Sequence, residues 1–231
     1  VKIGVVFDNK GEPGFKTGWG FSSFVDYKEK ILFDVGYNAD ILNYNLQKMG
    51  YRIRDFDALF LSHEHLDHIG SLFEILKNNA DLNVFVLNSF SQSLKEEIKK
   101  RAKLFEIKEA KEIFENVYTT GAIKNDPDEQ ALIIKTEKGP ILITGCAHPG
   151  IVKIIKKAKE VIKEDIFLVL GGFHLFEAED SEIEKIIEDF KNLGVKKVAP
   201  CHCTGERATN LFKKEYKNNF IEMKAGKLIQ V

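Results

Sequence analysis

The segment Ser62-His63-Glu64-His65-Leu66-Asp67-His68 follows the apolar run Ala58 to Leu61 and precedes the small pair Gly70-Ser71. Three imidazoles and a carboxylate fall within six residues where a strand-like run stops, a spacing that lets neutral histidine nitrogens and a carboxylate converge on one cation. The chain has six histidines, three of them here, and the others (His148, His174 and His202) each follow another strand-like run at a loop entrance. A lone histidine is most often a satisfied polar side chain. Six placed in this way read as an active-site loop with metal-binding partners further along the chain.

The partner stretches carry chemistry of their own. Ile141 to Thr144 runs into Gly145-Cys146-Ala147-His148-Pro149-Gly150, which sets two potential ligands two residues apart just before a helix. Val195 to Ala199 runs into Pro200-Cys201-His202-Cys203-Thr204-Gly205. Cysteines separated by one residue strain a disulfide ring, so Cys201 and Cys203 read as packing and supporting residues. Thr204 and Gly205 open a helix whose free amides suit an anion, and Arg207 on its first turn is placed to bind phosphate. His174, after Gly171-Gly172-Phe173, is an additional ligand, a general acid for a leaving group or a contact to substrate phosphate, three readings the residues leave open. Cys146 is either a soft ligand or an inert buried thiol.

The elements that hold these loops follow from period and punctuation. A strand Lys2 to Phe7 leads into a Gly/Pro-punctuated loop, Lys10 to Gly20, and then a hairpin of Phe21 to Tyr27 with Lys30 to Phe33. Asp34, at the hairpin's end, either caps the next segment or supports the histidine loop. Asn38 to Met49 has a helical apolar face closed by Gly50, and Ser71 to Lys77 makes a short helix. Asn83 to Leu87 reads as a strand and Gln92 to Lys103 as a helix, with Lys95 to Arg101 as its solvated face and the first half ending near Phe114. Strands are expected near Val117 to Thr119, Gln130 to Thr136, Pro140 to Thr144, Ile166 to Leu170 and Val195 to Ala199. Helices are expected over Gly150 to Lys163, from Ser181 with a capping-box Glu184, and over Glu206 to Lys214, before two closing strands. The pattern predicts one α/β domain over 1–231, a four-layer αβ/βα sandwich built from two similar halves, about 1–115 and 116–231.

The composition excludes several classes of function. With 34 basic and 35 acidic residues and no single-sign block, nothing marks a nucleic-acid groove or an anionic membrane surface. No apolar run approaches the roughly 20 residues that span a bilayer, and the N-terminal segment lacks a signal-peptide pattern. Three cysteines are no disulfide framework. The expectation is a cytoplasmic protein acting on a small molecule.

The run His63-x-His65-x-Asp67-His68 resembles the signature of the metallo-β-lactamase superfamily, whose members build a metal site, usually binuclear, on an αβ/βα sandwich. The resemblance narrows over Asp8-Asn9, Gly20-Phe21-Ser22, Phe33-Asp34-Val35-Gly36, Thr144 to Val152, Gly171 to Leu175 and His202 to Gly205. Together these are similar to the branch that includes the dihydropterin ribofuranosyl-aminobenzene phosphate synthases and metal-dependent hydrolases. The chain departs from that branch at Trp19, Glu64 and Lys153, and a Gly-His motif is missing from Asn125 to Gln130.

The resemblance implies one metal on His63, His65 and His148 and a second on Asp67, His68 and His202. Cys146 stands where relatives carry a second-metal ligand. Three protein ligands per metal leave a position open for water, and two divalent cations, zinc foremost and manganese, iron or magnesium as alternatives, would share an activated hydroxide. Asp67 and His174 are then the catalytic residues, and Asp8, Trp19, Asp34, Thr204 and Arg207 the supporting or substrate-facing ones. The implied activity is hydrolysis of a small, phosphate-containing substrate. Joining a dihydropterin methyl diphosphate to an aminobenzene ribosyl phosphate, with release of diphosphate, is the alternative, for which Trp19 would stack on a flat ring. A non-catalytic metal-binding module is the third reading.

Overall fold

Residues Lys2–Phe7 (β1), Ser22–Asp26 (β2) and Lys30–Phe33 (β3) are short runs rich in Val, Ile and Phe, side chains that suit a pleated, covered surface. They are followed by helix Ala39–Lys48 (α1), Ala58–Phe60 (β4), helices Leu66–Ile69 (α2) and Leu72–Asn78 (α3), and Asn83–Leu87 (β5). Helix Gln92–Lys99 (α4), Lys103–Ile107 (β6), Glu109–Phe114 (β7), Val117–Gly121 (β8), Leu132–Ile134 (β9) and Ile141–Thr144 (β10) come next. The chain continues through helix Ile151–Ile162 (α5), Leu168–Gly172 (β11), helix Asp180–Asn192 (α6), Lys197–Cys201 (β12), helix Glu206–Tyr216 (α7) and Leu228–Gln230 (β13). The computed structural model describes residues 1–231 and divides into two units, Val1–Lys108 with Lys224–Val231, and Glu109–Met223. The fold is mixed α/β, with one sheet in each unit.

The first unit holds a seven-stranded sheet in the order β13-β1-β2-β3-β4-β5-β6. Strands β13, β1, β2 and β3 pair antiparallel, whereas β3, β4, β5 and β6 run parallel, with Phe33 opposite Phe60 and Phe60 opposite Phe85. Parallel neighbours end at one sheet edge, so whatever follows β3 and β4 is delivered to the same place. Asp34 follows β3, and the histidine segment follows β4. Helix α1 is capped by Asn38, whose side chain accepts from the Ile41 amide at 3.1 Å, and it buries Leu42 and Leu46.

In the second unit the order is β12-β11-β10-β9-β8-β7, with β10, β11 and β12 parallel. Thr144 lies opposite Gly171, and Gly171 opposite Pro200, so the Cys146, His174 and His202 segments leave three adjacent strands at one edge. Helix α5 buries Ile151, Ile154, Ile155, Ala158 and Ile162 at helical spacing. Each such isoleucine stabilises the unit by about 1.5–3 kcal/mol relative to leaving it in water. Phe173, Phe190 and Phe212 meet with ring centroids 5.2 to 5.5 Å apart, fixing α6 and α7 beside the end of β11.

The structure departs from the sequence expectation at several elements. The charged stretch after Gln92 ends its helix at Lys99 and continues as β6 and β7, which periodicity alone leaves unmarked. Lys95 is consequently buried rather than solvated: its ammonium donates to the Asn88 carbonyl at 3.0 Å and to Glu106 of β6 at 2.9 Å. Helix α6 begins at Asp180 with Glu179 as its N-cap, so Ser181 lies inside it and forms no capping box. Acidic residues in that first turn favour the helix dipole's positive end. One closing strand forms, not two. No helix is long and apolar enough to cross a membrane.

Candidate metal centre

In the first unit the histidine loop is held by one buried carboxylate. Asp34 Oδ1 accepts from the Ser62 amide at 2.8 Å, and Oδ2 accepts from the Ser62 hydroxyl at 2.7 Å. His68 Nδ1 lies 2.6 Å from the same Oδ2, and His63 Nδ1 lies 2.9 Å from Ser62 Oγ. A serine hydroxyl has a single proton to give. Because Ser62 gives it to Asp34, Ser62 Oγ must accept from His63 Nδ1–H, and His68 Nδ1–H likewise donates to Asp34. Both rings therefore carry the proton on Nδ1 and the lone pair on Nε2, the tautomer a cation requires.

The His63 ring sits 4.2 Å from His68 and 4.8 Å from His65, centroid to centroid, and Asp67 Oδ2 is 3.5 Å from His68 Nε2. Three imidazoles and a carboxylate are thus gathered on the loop after β4 and on α2. The neighbouring Asp8 to Phe21 loop closes against its backbone: the Phe21 amide donates to the Asp67 carbonyl at 3.2 Å. Gly20, at φ +143°, allows this approach, since a Cβ there would lie 2.5 Å from that carbonyl oxygen. Asp8 is buried, with Oδ1 accepting the Asn9 amide at 2.8 Å, and Trp19 is 54% exposed. Glu64 leans the other way and accepts from the amide and hydroxyl of Ser91, the N-cap of α4.

In the second unit Cys146 Sγ lies 3.3 Å from His202 Nε2, and the His148 and His174 rings are 4.4 Å apart. Cys203 Sγ donates to the Cys146 carbonyl at 3.4 Å. Burial pushes the Cys203 thiol up, but its hydrogen bonds with Cys146 and His174 and the charge of His202 outweigh this and hold it well below its ordinary value. In step with that, donating a hydrogen bond to the Cys203 sulfur raises the pKa of His174, against a smaller opposing effect of burial. Thr204 is buried and its hydroxyl accepts the Phe173 amide at 3.0 Å, so it fastens β11 to the turn after β12. Arg207 is engaged elsewhere: its guanidinium pairs with Asp180 and, at 3.1 Å, with Glu179.

The metallo-β-lactamase superfamily model matches residues 20–111. The chain is 33% identical over 249 residues to the 7,8-dihydropterin-6-methyl-4-(β-D-ribofuranosyl)-aminobenzene-5'-phosphate synthase of Methanocaldococcus jannaschii, a match that spans 88% of this chain and 85% of the relative. The chain belongs to the metallo-β-lactamase superfamily. Within it, a solved structure described as Tm1679, a metal-dependent hydrolase of the β-lactamase superfamily, shares 31% identity and a TM-score of 0.83 over 100% of this chain and 98% of the other. The uncharacterized protein MJ0448 of the same archaeon is 30% identical over 99% of this chain and 100% of its own length.

Membership in this superfamily implies divalent-metal binding, and the chemistry of the donor sets fits it. The histidine loop presents imidazoles with their lone pairs on Nε2, and the second unit adds imidazoles and thiols. One residue that holds this superfamily member's loops has no motif to announce it. Glu129, fully buried, accepts from the amides of Cys146 at 3.0 Å, Ala147 at 2.9 Å and His148 at 2.8 Å, which fixes the turn carrying two candidate ligands. Ser62, at the head of the histidine segment, links His63 to Asp34 by accepting from the one and donating to the other. The sequence around Glu129, with Asp126-Pro127-Asp128 before it and Gln130 after it, carries no signal that this carboxylate is buried.

Proposed function

We propose that this chain is a metal-dependent hydrolase of small, phosphate-containing substrates, with His63, His65, Asp67, His68, Cys146, His148 and His202 as ligands of two divalent cations, zinc foremost. The observation that carries the reading is the proton chain from His63 through Ser62 to Asp34, joined there by His68, which leaves Nε2 of both rings as the basic nitrogen. Catalytic sites keep a coordination position open for water, and the three protein ligands that His63, His65 and His148 would give one cation leave one. When bound, two such cations supply Lewis acidity to a phosphoryl oxygen and bring the attacking water's pKa towards neutrality.

The chain's own residues divide the remaining work. Asp67 binds and receives the proton of the attacking water. His174, exposed and kept protonated to higher pH by Cys203, donates a proton to the leaving group. The amides opening α7 cradle the anion, with Thr204 holding the turn that presents them, and Asp8 and Trp19 border the substrate. Three buried cysteines outside any disulfide support a reducing, cytoplasmic setting. The synthase relative favours a second reading, in which the same centre serves transfer of a dihydropterin onto an aminobenzene ribosyl phosphate and Trp19 supplies a stacking face.

Metal content by plasma mass spectrometry, on protein purified without added metal, tests this reading together with turnover assays on phosphoesters and on a pterin diphosphate with its amine acceptor. Two equivalents in the parent falling towards one in His68→Ala, with hydrolysis of a phosphoester, support the hydrolase. Turnover only with both pterin and amine moves the assignment to the transferase. A single equivalent indifferent to His68→Ala overturns the binuclear reading. A full complement without turnover of any of these leaves a metal-binding module.

A further inference from the structure

The ends of β10, β11 and β12 bring together a second combination of side chains, of which only Cys146 belongs to the proposed ligand set. Cys146 follows β10, His174 follows β11 and Cys203 follows β12, and their ligand atoms all lie within 4.8 Å of one another. We infer that Cys146, His174 and Cys203 form a separate site for a thiophilic cation of the zinc, cadmium or copper(I) class. Two sulfurs and an imidazole are a soft donor set, which selects such cations over magnesium or calcium. Zinc takes thiolate at about 2.3 Å and imidazole at about 2.0–2.1 Å, so bound ligand atoms lie about 3.5 Å apart. Small side-chain rotations close the remaining gap.

The backbone is shaped for this meeting. Gly172 has Cys203 Sγ and the Gly145 carbonyl so close that a Cβ would lie 2.6 and 2.5 Å from them. Only glycine lets the end of β11 pass between the Cys146 and Cys203 turns. Three non-glycine residues beside the ligands hold left-handed backbone, Ala147 at φ +66°, His174 at φ +55° and His202 at φ +50°. Such positions persist where the surroundings over-determine them, most often at ligand clamps. Cys146 and Cys203 are buried while His174 is exposed, so the cation is held by sulfur within and reached from solvent past the imidazole. The site lies wholly in the second unit, and a cation bound there takes up His174, the proposed proton donor. It shares Cys146 with the proposed catalytic set, so a thiophilic cation bound here draws on that thiolate.

Cadmium titration of the reduced full-length chain, followed by the sulfur-to-cadmium charge-transfer band, tests the inference. The parent is expected to develop the intensity of two thiolates, Cys203→Ser about half of it, and Cys201→Ser the parent's full band. His174→Ala, at an exposed side chain, should keep the band but weaken cadmium binding by about 10–100-fold. A band undiminished in Cys203→Ser overturns the site, as does unchanged cadmium affinity in His174→Ala should Cys203→Ser fail to fold. Retention of the two-thiolate band in a protein whose metal content ignores His68→Ala would overturn the binuclear reading while leaving this site standing.

Discussion

Asp34 is the residue through which the histidine loop is organised, because one oxygen of its carboxylate receives both His68 Nδ1 and the Ser62 hydroxyl. An amide in its place presents N–H donors to groups that must themselves donate. Asp34→Asn is therefore expected to weaken divalent-metal affinity by about 10–100-fold with little change in size, as read by chelator competition. Tyr51 offers a residue-scale test of the fold. Burial, and then its 2.7 Å hydrogen bond to Asp26, push its phenol up to about 12. Above the ordinary value of 10.0 the unfolded chain loses this proton while the folded chain keeps it, so the contribution to stability is present below pH 10.0 and fades as pH rises to about 12. Tyr51→Phe should flatten the alkaline fall of the urea midpoint over that window. An equally steep fall in the variant would show that the phenol is not coupled to folding.

At the scale of elements, both candidate clusters lie at the carboxyl ends of parallel strands, β3 and β4 in one unit and β10, β11 and β12 in the other. Register does the positioning: Thr144 opposite Gly171 opposite Pro200 sets the three second-unit loops level with one another. The end of β11 is correspondingly intolerant of bulk. Gly172→Ala must displace the Gly145 carbonyl or Cys203 Sγ and is expected to cost about 1–3 kcal/mol in urea unfolding. A change near zero would mean that the turn after β12 yields freely. Helix α4 shows what pattern reading misses, since Lys95 looks like a solvated position until β6 brings Glu106 beside it.

For the whole molecule, the near balance of 34 basic and 35 acidic residues gives no net field to attract polyanions, so recognition of an anionic substrate falls to local groups. A cation that binds only the folded chain raises stability by mass action, about 2.7 kcal/mol at a hundredfold excess over its dissociation constant. Zinc added to chelator-stripped protein should therefore raise the melting temperature in a concentration-dependent way, and renewed chelation should reverse it. Calorimetry showing the same melting temperature with and without zinc, manganese or iron would contradict divalent-metal binding by the native fold.

The amino-acid sequence by itself determined the family, the α/β class and the loops that carry the chemistry, because ligand spacing and strand-end placement are local properties written in consecutive residues. His63 to His68, the Cys146 to His148 pair and His202 stand out without coordinates for that reason. What only the tertiary structure decided is which distant groups hold those loops. Glu129 beneath the Cys146 to His148 amides, Ser62 between His63 and Asp34, and Cys203 beside His174 depend on strand register and on buried hydrogen bonds between residues far apart in sequence. A buried carboxylate must be satisfied by whatever donors the fold brings to it, and no periodicity in its own neighbourhood records which those are. The fate of Arg207 shows the same limit from the other side: a phosphate-binding position by sequence, it is engaged by Glu179 and Asp180 once α6 and α7 pack together.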